Sequence, residues 1–221
     1  MQLKALLLDL DGTLVDTAPD MVATLNRILT DHDLPTANKQ LARKLVSNGA
    51  RALLEFGFGD QINRFDINTL IDSFLSDYAN NICVDSKLYD GMESVLELCS
   101  KHNIRWGVVT NKPLELSRQL LDQLNLLEQC QILLGGDSLP VKKPDPAPLL
   151  HCCMVMSLAP SECLYVGDHE RDIIAGRAAG MDTAAALWGY INDKQTPNEW
   201  NANYLLNKPS GLHHLIKDKI I

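Results

Sequence analysis

The chain has 221 residues, 46% of them hydrophobic, which is enough for one domain of upper-middle size or for a core with a smaller inserted unit. Its formal net charge of −8 argues against a nucleic-acid binder, whose footprint is a basic stripe. The same charge leaves an anionic small substrate open, because local cations or a metal reverse the field inside a pocket.

No run approaches the roughly 20 apolar residues of a membrane span. No charged head, long apolar stretch and cleavage site follow one another at the N-terminus. A cytoplasmic protein is therefore expected, a monomer or homodimer with no membrane and no nucleic-acid partner. The six cysteines show no CxxC spacing and lie mostly in apolar surroundings, so they read as reduced thiols rather than disulfides.

Residues 3–8 are apolar apart from Lys4 and predict a buried strand. Asp9-Leu10-Asp11-Gly12-Thr13-Leu14 follows. Two carboxylates one residue apart past a buried strand do not help folding, since like charges repel and burial of either is costly. They make sense beside a divalent cation, with one of them a nucleophile. Gly12 permits a sharp turn and close approach to a ligand. The Thr13 hydroxyl is expected to tie the loop down. Thr17-Ala18-Pro19-Asp20 predicts a helix start in which Thr17 caps and Asp20 completes a T-x-x-D box.

Met21, Val22, Leu25, Ile28 and Leu29 recur at helical spacing, and 31–35 ends that helix. Further helical patterns cover 41–46, 50–56 and 70–82. No convincing strand occurs between 16 and 85. An all-helical unit over 16–87 thus interrupts a core made of 1–15 and 88–221.

From Tyr89 onward the pattern alternates. Helices are predicted over 91–99, 114–127, 146–156 and 172–179, the last stopping at Gly180 as C-cap. Strands are predicted over 104–109, 131–134, 163–166 and 183–187. A loop over 189–203 leads to an edge strand at 204–206 and a closing helix over 210–218. Alternation of this kind implies an α/β fold, a Rossmann-like parallel sheet with right-handed crossovers and helices on both faces. Ligands of such sheets sit beyond the strand carboxyl ends, near the switch in strand order. One pocket can therefore collect Asp9, Asp11, Thr110, Lys143 and Asp168.

Those residue types suit phosphate-ester hydrolysis. The reaction needs a nucleophile, an acid for the leaving oxygen, positive charge for the phosphoryl oxygens and a metal to screen the nucleophile. A carboxylate about 4 Å from a phosphate charge faces roughly 4 kcal/mol of repulsion at an effective dielectric near 20. Asp9 and Asp11 can supply the first two roles. Asp168 and Asp172, one helical turn apart, can supply the metal end, with Mg²⁺ the natural ion. Thr110 offers a hydroxyl and a following amide, and Lys143, held before Pro144-Asp145-Pro146, offers a fixed cation. Each residue alone has an ordinary reading as a cap, turn or solvated loop; their order and spacing together favour the site.

DLDGTLVD, VVTNKP, KKPDP and VGDHERD resemble the four motifs of the haloacid dehalogenase superfamily, in family order. The resemblance implies that Asp9 becomes an aspartyl-phosphate and that Asp11 is the general acid/base. It implies phosphoryl binding by Thr110, Asn111 and Lys143. It also implies Mg²⁺ held by Asp9, the Asp11 carbonyl and Asp168, with Asp172 in support. The helical insert resembles the small cap of the phosphoglycolate phosphatase and β-phosphoglucomutase branch. Asp at position 11 favours phosphatases and mutases over dehalogenases and transport ATPases. Ser47-Asn48-Gly49-Ala50-Arg51, the stretch from Trp106 to Pro113, Gly189-Tyr190-Ile191 and Asn198-Glu199-Trp200 resemble the bacterial N-acetylmuramic acid 6-phosphate phosphatases.

A small phosphorylated metabolite is thus the expected partner. Asn48, Gly49 and Arg51 form a polar turn that reads the leaving group in this branch, or else a solvated loop. His169 departs from the small hydroxyl residue many members carry there, and packing against the cap is expected of it. A phosphosugar mutase, or a non-catalytic phospholigand binder, is the alternative.

Overall fold

The structure is a computed structural model and describes residues 3–220. Six parallel strands form the main sheet in the order β5-β4-β1-β6-β7-β8. They are β1 (Ala5–Leu8), β4 (Arg105–Val109), β5 (Leu133–Leu134), β6 (Cys163–Gly167), β7 (Asp182–Ala186) and β8 (Tyr204–Leu206). β1 is buried throughout and sits between β4 and β6. Chain order runs outward from β1 on one side to β4 and β5, then returns to β6 on the other. The switch in strand order therefore falls at β1, and Asp9 lies just past its carboxyl end.

Side chains alternate across β1, as a period of two requires. Leu6 and Leu8 join one apolar cluster with helices α5 (Met92–Lys101), α6 (Leu114–Gln123) and α9 (Pro209–Ile220). Ala5 and Leu7 join a second cluster with α7 (Ala147–Met156) and α8 (Glu170–Ala178). Both faces are thus covered, which is why β1 reads as a continuous apolar run rather than an alternating one.

The insert holds α1 (Ala18–Asp31), α2 (Lys39–Arg43), α3 (Gly49–Phe58) and α4 (Ile67–Asn80). Leu25, Leu29, Leu53, Leu54 and Phe74 are buried in a core continuous with the first sheet face. A two-residue antiparallel ribbon, β2 (Val15–Asp16) with β3 (Lys87–Leu88), carries both crossings between insert and sheet. The expected borders at 16 and 87 fall inside that ribbon.

Several local expectations are corrected. β1 begins at Ala5, because the Leu3 and Lys4 amides donate to Lys219 and Glu162 carbonyls instead of a strand partner. The pattern at 41–46 splits into α2 and a 3₁₀ turn at Val46–Asn48. The helix expected over 114–127 stops at Gln123, where Asn125 takes φ +56° and a 3₁₀ turn follows at Leu127–Gln129.

The T-x-x-D box at the start of α1 does not form. The Thr17 hydroxyl donates to Asp11 Oδ1 (2.6 Å), and Asp20 accepts from the Asp85 and Ser86 amides and the Ser86 hydroxyl. The first amides of α1, on Thr17 and Ala18, donate to the phenol oxygen of Tyr190 (2.7 and 2.9 Å). The Thr13 hydroxyl has no hydrogen-bond partner among the described residues; backbone bonds from Leu14 and Val15 to Leu10, and Trp188 Nε1 donating to the Thr13 carbonyl, close that loop.

Candidate active site

Asp9 extends β1 by one rung, its amide donating to the Val166 carbonyl (2.9 Å). Its Oδ1 accepts from the Leu10 amide (2.7 Å) and lies 3.0 Å from Lys143 Nζ. Lys143 is buried and also reaches Asp172 Oδ1 (2.7 Å) and the Tyr165 phenol oxygen (2.8 Å). Tyr165 in turn donates to the Val109 carbonyl (2.9 Å). Burial opposes the Lys143 charge, but Asp172 and Asp9 outweigh it and raise the pKa above the usual lysine value.

Asp168 ends β6 and is 1% exposed. Its Oδ2 accepts from the Tyr190 amide (2.8 Å) and from the Ser47 hydroxyl of the insert (2.9 Å). Its Oδ1 is buried and, among the described residues, has no hydrogen-bond partner. Burial, then repulsion from Asp9 and Asp172, pushes this carboxyl up to about 8. Asp172, in the first turn of α8, is pushed up to about 6, chiefly by burial, with Lys143 opposing. Its Oδ2 accepts from the His169 amide (3.1 Å).

Asp9, Asp168 and Asp172 offer oxygens within 4.8 Å of one another. Three hard oxygen donors, an orphaned buried lone-pair site on Asp168 and three clustered carboxylates met by the single ammonium of Lys143 fit a divalent cation such as Mg²⁺. Both Asp172 oxygens are already engaged by protein donors. That suits a supporting role, with Asp9 and Asp168 as the carboxylates free to ligate.

Gly12 takes φ +82°, and a Cβ there would collide with the Asp168 carboxylate and the Tyr190 ring. The turn it allows brings Asp11 over the same rim. Asp11 Oδ1 lies 3.0 Å, and its Oδ2 3.3 Å, from Lys112 Nζ. Lys112 is buried, lies 3.1 Å from the Tyr78 phenol oxygen and sits 4.4 Å from that ring's centroid. Burial again opposes its charge, and Asp11 with Tyr78 raises its pKa overall.

Thr110 ends β4; its Oγ accepts from the Lys112 amide (3.2 Å), which leaves the hydroxyl proton for an anion. Asn111 Nδ2 donates to the Lys143 carbonyl (2.9 Å), while its Oδ1 is buried without a described partner. Asp9, Asp11, Thr110, Asn111 and Lys143 all line one cleft of about 600 Å³ between the sheet and the insert. Asn48, Gly49 and Arg51 line it from above, with Phe74, Leu75 and Leu116 forming an apolar wall. A separate hollow of about 750 Å³ beside α1 and α2 contains none of these carboxylates.

Asn48 Oδ1 accepts from Arg171 Nη2 (3.1 Å), so the turn is pinned to α8. Arg51 is half-exposed, its nearest acid being Glu55 at 3.8 Å. His169 stacks its ring on Trp200 at 6.4 Å between centroids, and its Nδ1 accepts from the Arg171 amide. Burial, then the Arg171 charge, pushes its pKa down to about 4.

Sequence reasoning missed Lys112, Tyr78, Ser47, Tyr165 and Tyr190. Lys112 lay inside the VVTNKP motif, and Tyr78 read only as part of an apolar helix face. No helix among the described residues is long and apolar enough to cross a membrane.

The family model for haloacid dehalogenase-like hydrolases matches residues 6–186. A phosphoglycolate phosphatase of Xanthomonas campestris pv. campestris is 42% identical over 209 residues, 95% of this chain and 94% of that protein. An N-acetylmuramic acid 6-phosphate phosphatase of Pseudomonas putida is 40% identical over 216 residues, 98% and 97% of the two chains. The crystal structure of a predicted phosphoglycolate phosphatase from Haemophilus somnus superposes with a TM-score of 0.87 at 28% identity, covering 97% of this chain and 98% of that one. Asp9, Asp11, Thr110, Lys143 and Asp168 all fall within the matched span. The chain therefore belongs to the haloacid dehalogenase-like hydrolase family.

Proposed function

We propose that this hydrolase is a Mg²⁺-dependent phosphatase that cleaves a small phosphomonoester through an aspartyl-phosphate on Asp9. One observation carries the reading: two aspartates face one cleft, and each is tied to its own buried lysine, Asp9 to Lys143 and Asp11 to Lys112. An Asp-Gly turn needs neither lysine.

In this reading a carboxylate oxygen of Asp9 bonds to phosphorus while the ester P–O bond breaks. Asp11 gives its proton to the leaving oxygen. Water then attacks the phosphorus of the aspartyl-phosphate, Asp11 takes the proton of that water, and Asp9 is released as a carboxylate with inorganic phosphate. Lys143 and the Thr110 hydroxyl offset charge on the transferring phosphoryl oxygens. Asp9, the Asp11 carbonyl and Asp168, with Asp172 in support, would hold a divalent cation, which would supply the remaining screening of charge. The helical insert acts as a cap that closes over this chemistry.

The substrate is phosphoglycolate or a sugar phosphate such as N-acetylmuramic acid 6-phosphate. A cleft of about 600 Å³ with an apolar wall favours the sugar phosphate, since phosphoglycolate would leave most of it to water.

Purified protein with Mg²⁺ is expected to release free phosphate from one of these esters. Asp9→Asn should lower that rate at least about a thousandfold by removing the nucleophile. A phosphate mimic such as beryllofluoride should add to wild type and not to Asp9→Asn. Turnover that survives Asp9→Asn would refute the reading. An isomerised sugar phosphate in place of free phosphate would move the enzyme to the mutases.

A further inference from the structure

Lys112 and Tyr78 stand outside the four groups that the chemistry needs, yet they occupy its centre. Lys112 Nζ lies 3.0 Å from Asp11 Oδ1, 3.3 Å from Asp11 Oδ2 and 3.1 Å from the Tyr78 phenol oxygen. The Tyr78 ring also lies 4.4 Å from the ammonium. Lys112 belongs to the sheet side, three residues past β4, whereas Tyr78 belongs to α4 of the insert.

A buried ammonium costs several kcal/mol to desolvate unless its donors are satisfied, so its contacts fix its place. Both sides of the cleft supply those contacts here: Asp11 from the loop after β1, and Tyr78 from the insert. Asp11 and Tyr78 together fix the end of a long lysine stem that is otherwise rich in rotamers. Tyr78 is itself buried, and its only hydrogen bond among the described residues is with Lys112. A tyrosine on an apolar helix face would leave its hydroxyl unpaired and buried there were Lys112 not beneath it.

We propose that Lys112 and Tyr78 are positioning residues that set the Asp11 carboxyl for leaving-group protonation only when the insert is seated. Tyr78 holds Lys112, and Lys112 holds Asp11. When the insert lifts, Tyr78 leaves, Lys112 loses one of its two anchors, and the Thr17 hydroxyl is left as the one fixed side-chain partner of Asp11 among the described residues. The inference rests on the phosphatase reading, in which Asp11 is the proton donor. Its consequence is that ester cleavage is coupled to closure at the protonation step rather than at the attack by Asp9.

Aryl phosphates separate the two steps. Phenol is a poor leaving group that needs the proton, while 2,4-dinitrophenol leaves without it. The apolar wall of Phe74, Leu75 and Leu116 accepts such rings. Single-turnover release of the phenol would be measured for phenyl, 4-nitrophenyl and 2,4-dinitrophenyl phosphate with Mg²⁺. Tyr78→Phe, which removes only the hydroxyl, should slow phenyl phosphate about tenfold and 2,4-dinitrophenyl phosphate less than about twofold, at unchanged KM. Lys112→Met should steepen the same dependence to about a hundredfold on phenyl phosphate, approaching Asp11→Asn.

Equal losses on all three esters, or a loss confined to KM, would overturn the proposal, since a substrate-binding or merely structural role gives those patterns. Should Lys112→Met fail to fold, Tyr78→Phe carries the test alone. Tyr78→Phe with wild-type rates throughout also overturns it. Wild type that releases none of the phenols overturns the phosphatase reading and this proposal with it.

Discussion

At the scale of single residues, Asp168 is a carboxyl whose surroundings oppose its charge. Burial comes first, then Asp9 and Asp172, in lifting its carboxyl from 3.8 to about 8. The folded state therefore keeps a proton that the unfolded chain gives up above about pH 4. It follows that the stability of chelated protein falls as the pH rises from about 4 through about 8, because unfolding then releases that proton. A divalent cation competes with the proton for the same oxygens. Added Mg²⁺ should accordingly raise Tm more near pH 8 than near pH 5, as thermal denaturation with chelator or with metal would show. Asp168→Asn removes one of three repelling charges. It should flatten that pH dependence and abolish the Mg²⁺ response, while activity falls about a hundredfold or more.

At the scale of elements, the crossings between sheet and insert carry buried polar contacts. Asp20 on α1 accepts three hydrogen bonds from Asp85 and Ser86 and is 3% exposed. Asp20→Ala would leave buried donors unpaired on the return crossing. A loss of about 2–3 kcal/mol in urea denaturation is expected. Gly12→Ala meets both a φ of +82° and a collision with Asp168 and Tyr190. It should cost about 1–3 kcal/mol in backbone strain alone and weaken Mg²⁺ binding, measurable by calorimetric titration. The spacing of Thr17 and Asp20 fits a capping box, yet both side chains serve distant partners. Local capping yielded because Tyr190 already meets the α1 amides, which freed Thr17 for Asp11 and Asp20 for the other crossing.

At the scale of the molecule, the insert is seated on the sheet rim through contacts of unequal weight. Lys44 and Asp193 meet at 2.7 Å, but Asp193 is largely exposed, so Lys44→Ala should change stability by no more than about 1 kcal/mol. Ser47 on Asp168 is partly buried and Tyr78 on Lys112 fully so, and both reach the candidate site. Arg51 lines the cleft without a close acid. If it binds a carboxylate or sugar hydroxyl of the substrate, Arg51→Ala should raise KM about tenfold and leave kcat nearly unchanged. Unaltered kcat/KM for every ester tested would assign the turn to solvent instead.

The sequence by itself determined the layered α/β fold, the helical insert and the acidic rim, because those rest on short-range physics. Apolar period separates strand from helix, and a parallel sheet delivers every strand's carboxyl end to one edge, so Asp9, Asp11, Thr110 and Asp168 converge, whereas Lys143 lies nine residues past β5 and reaches the site through the following loop. Tertiary structure alone decided which groups answer them. Tyr78 is one more apolar position on a helix until α4 is laid across the sheet, and Lys112 is a loop lysine until Asp11 turns toward it. Ser47, Tyr190 and the stacking of His169 on Trp200 likewise depend on which surfaces meet. Periodicity sets the face a side chain occupies, whereas long-range packing sets the partner it finds there.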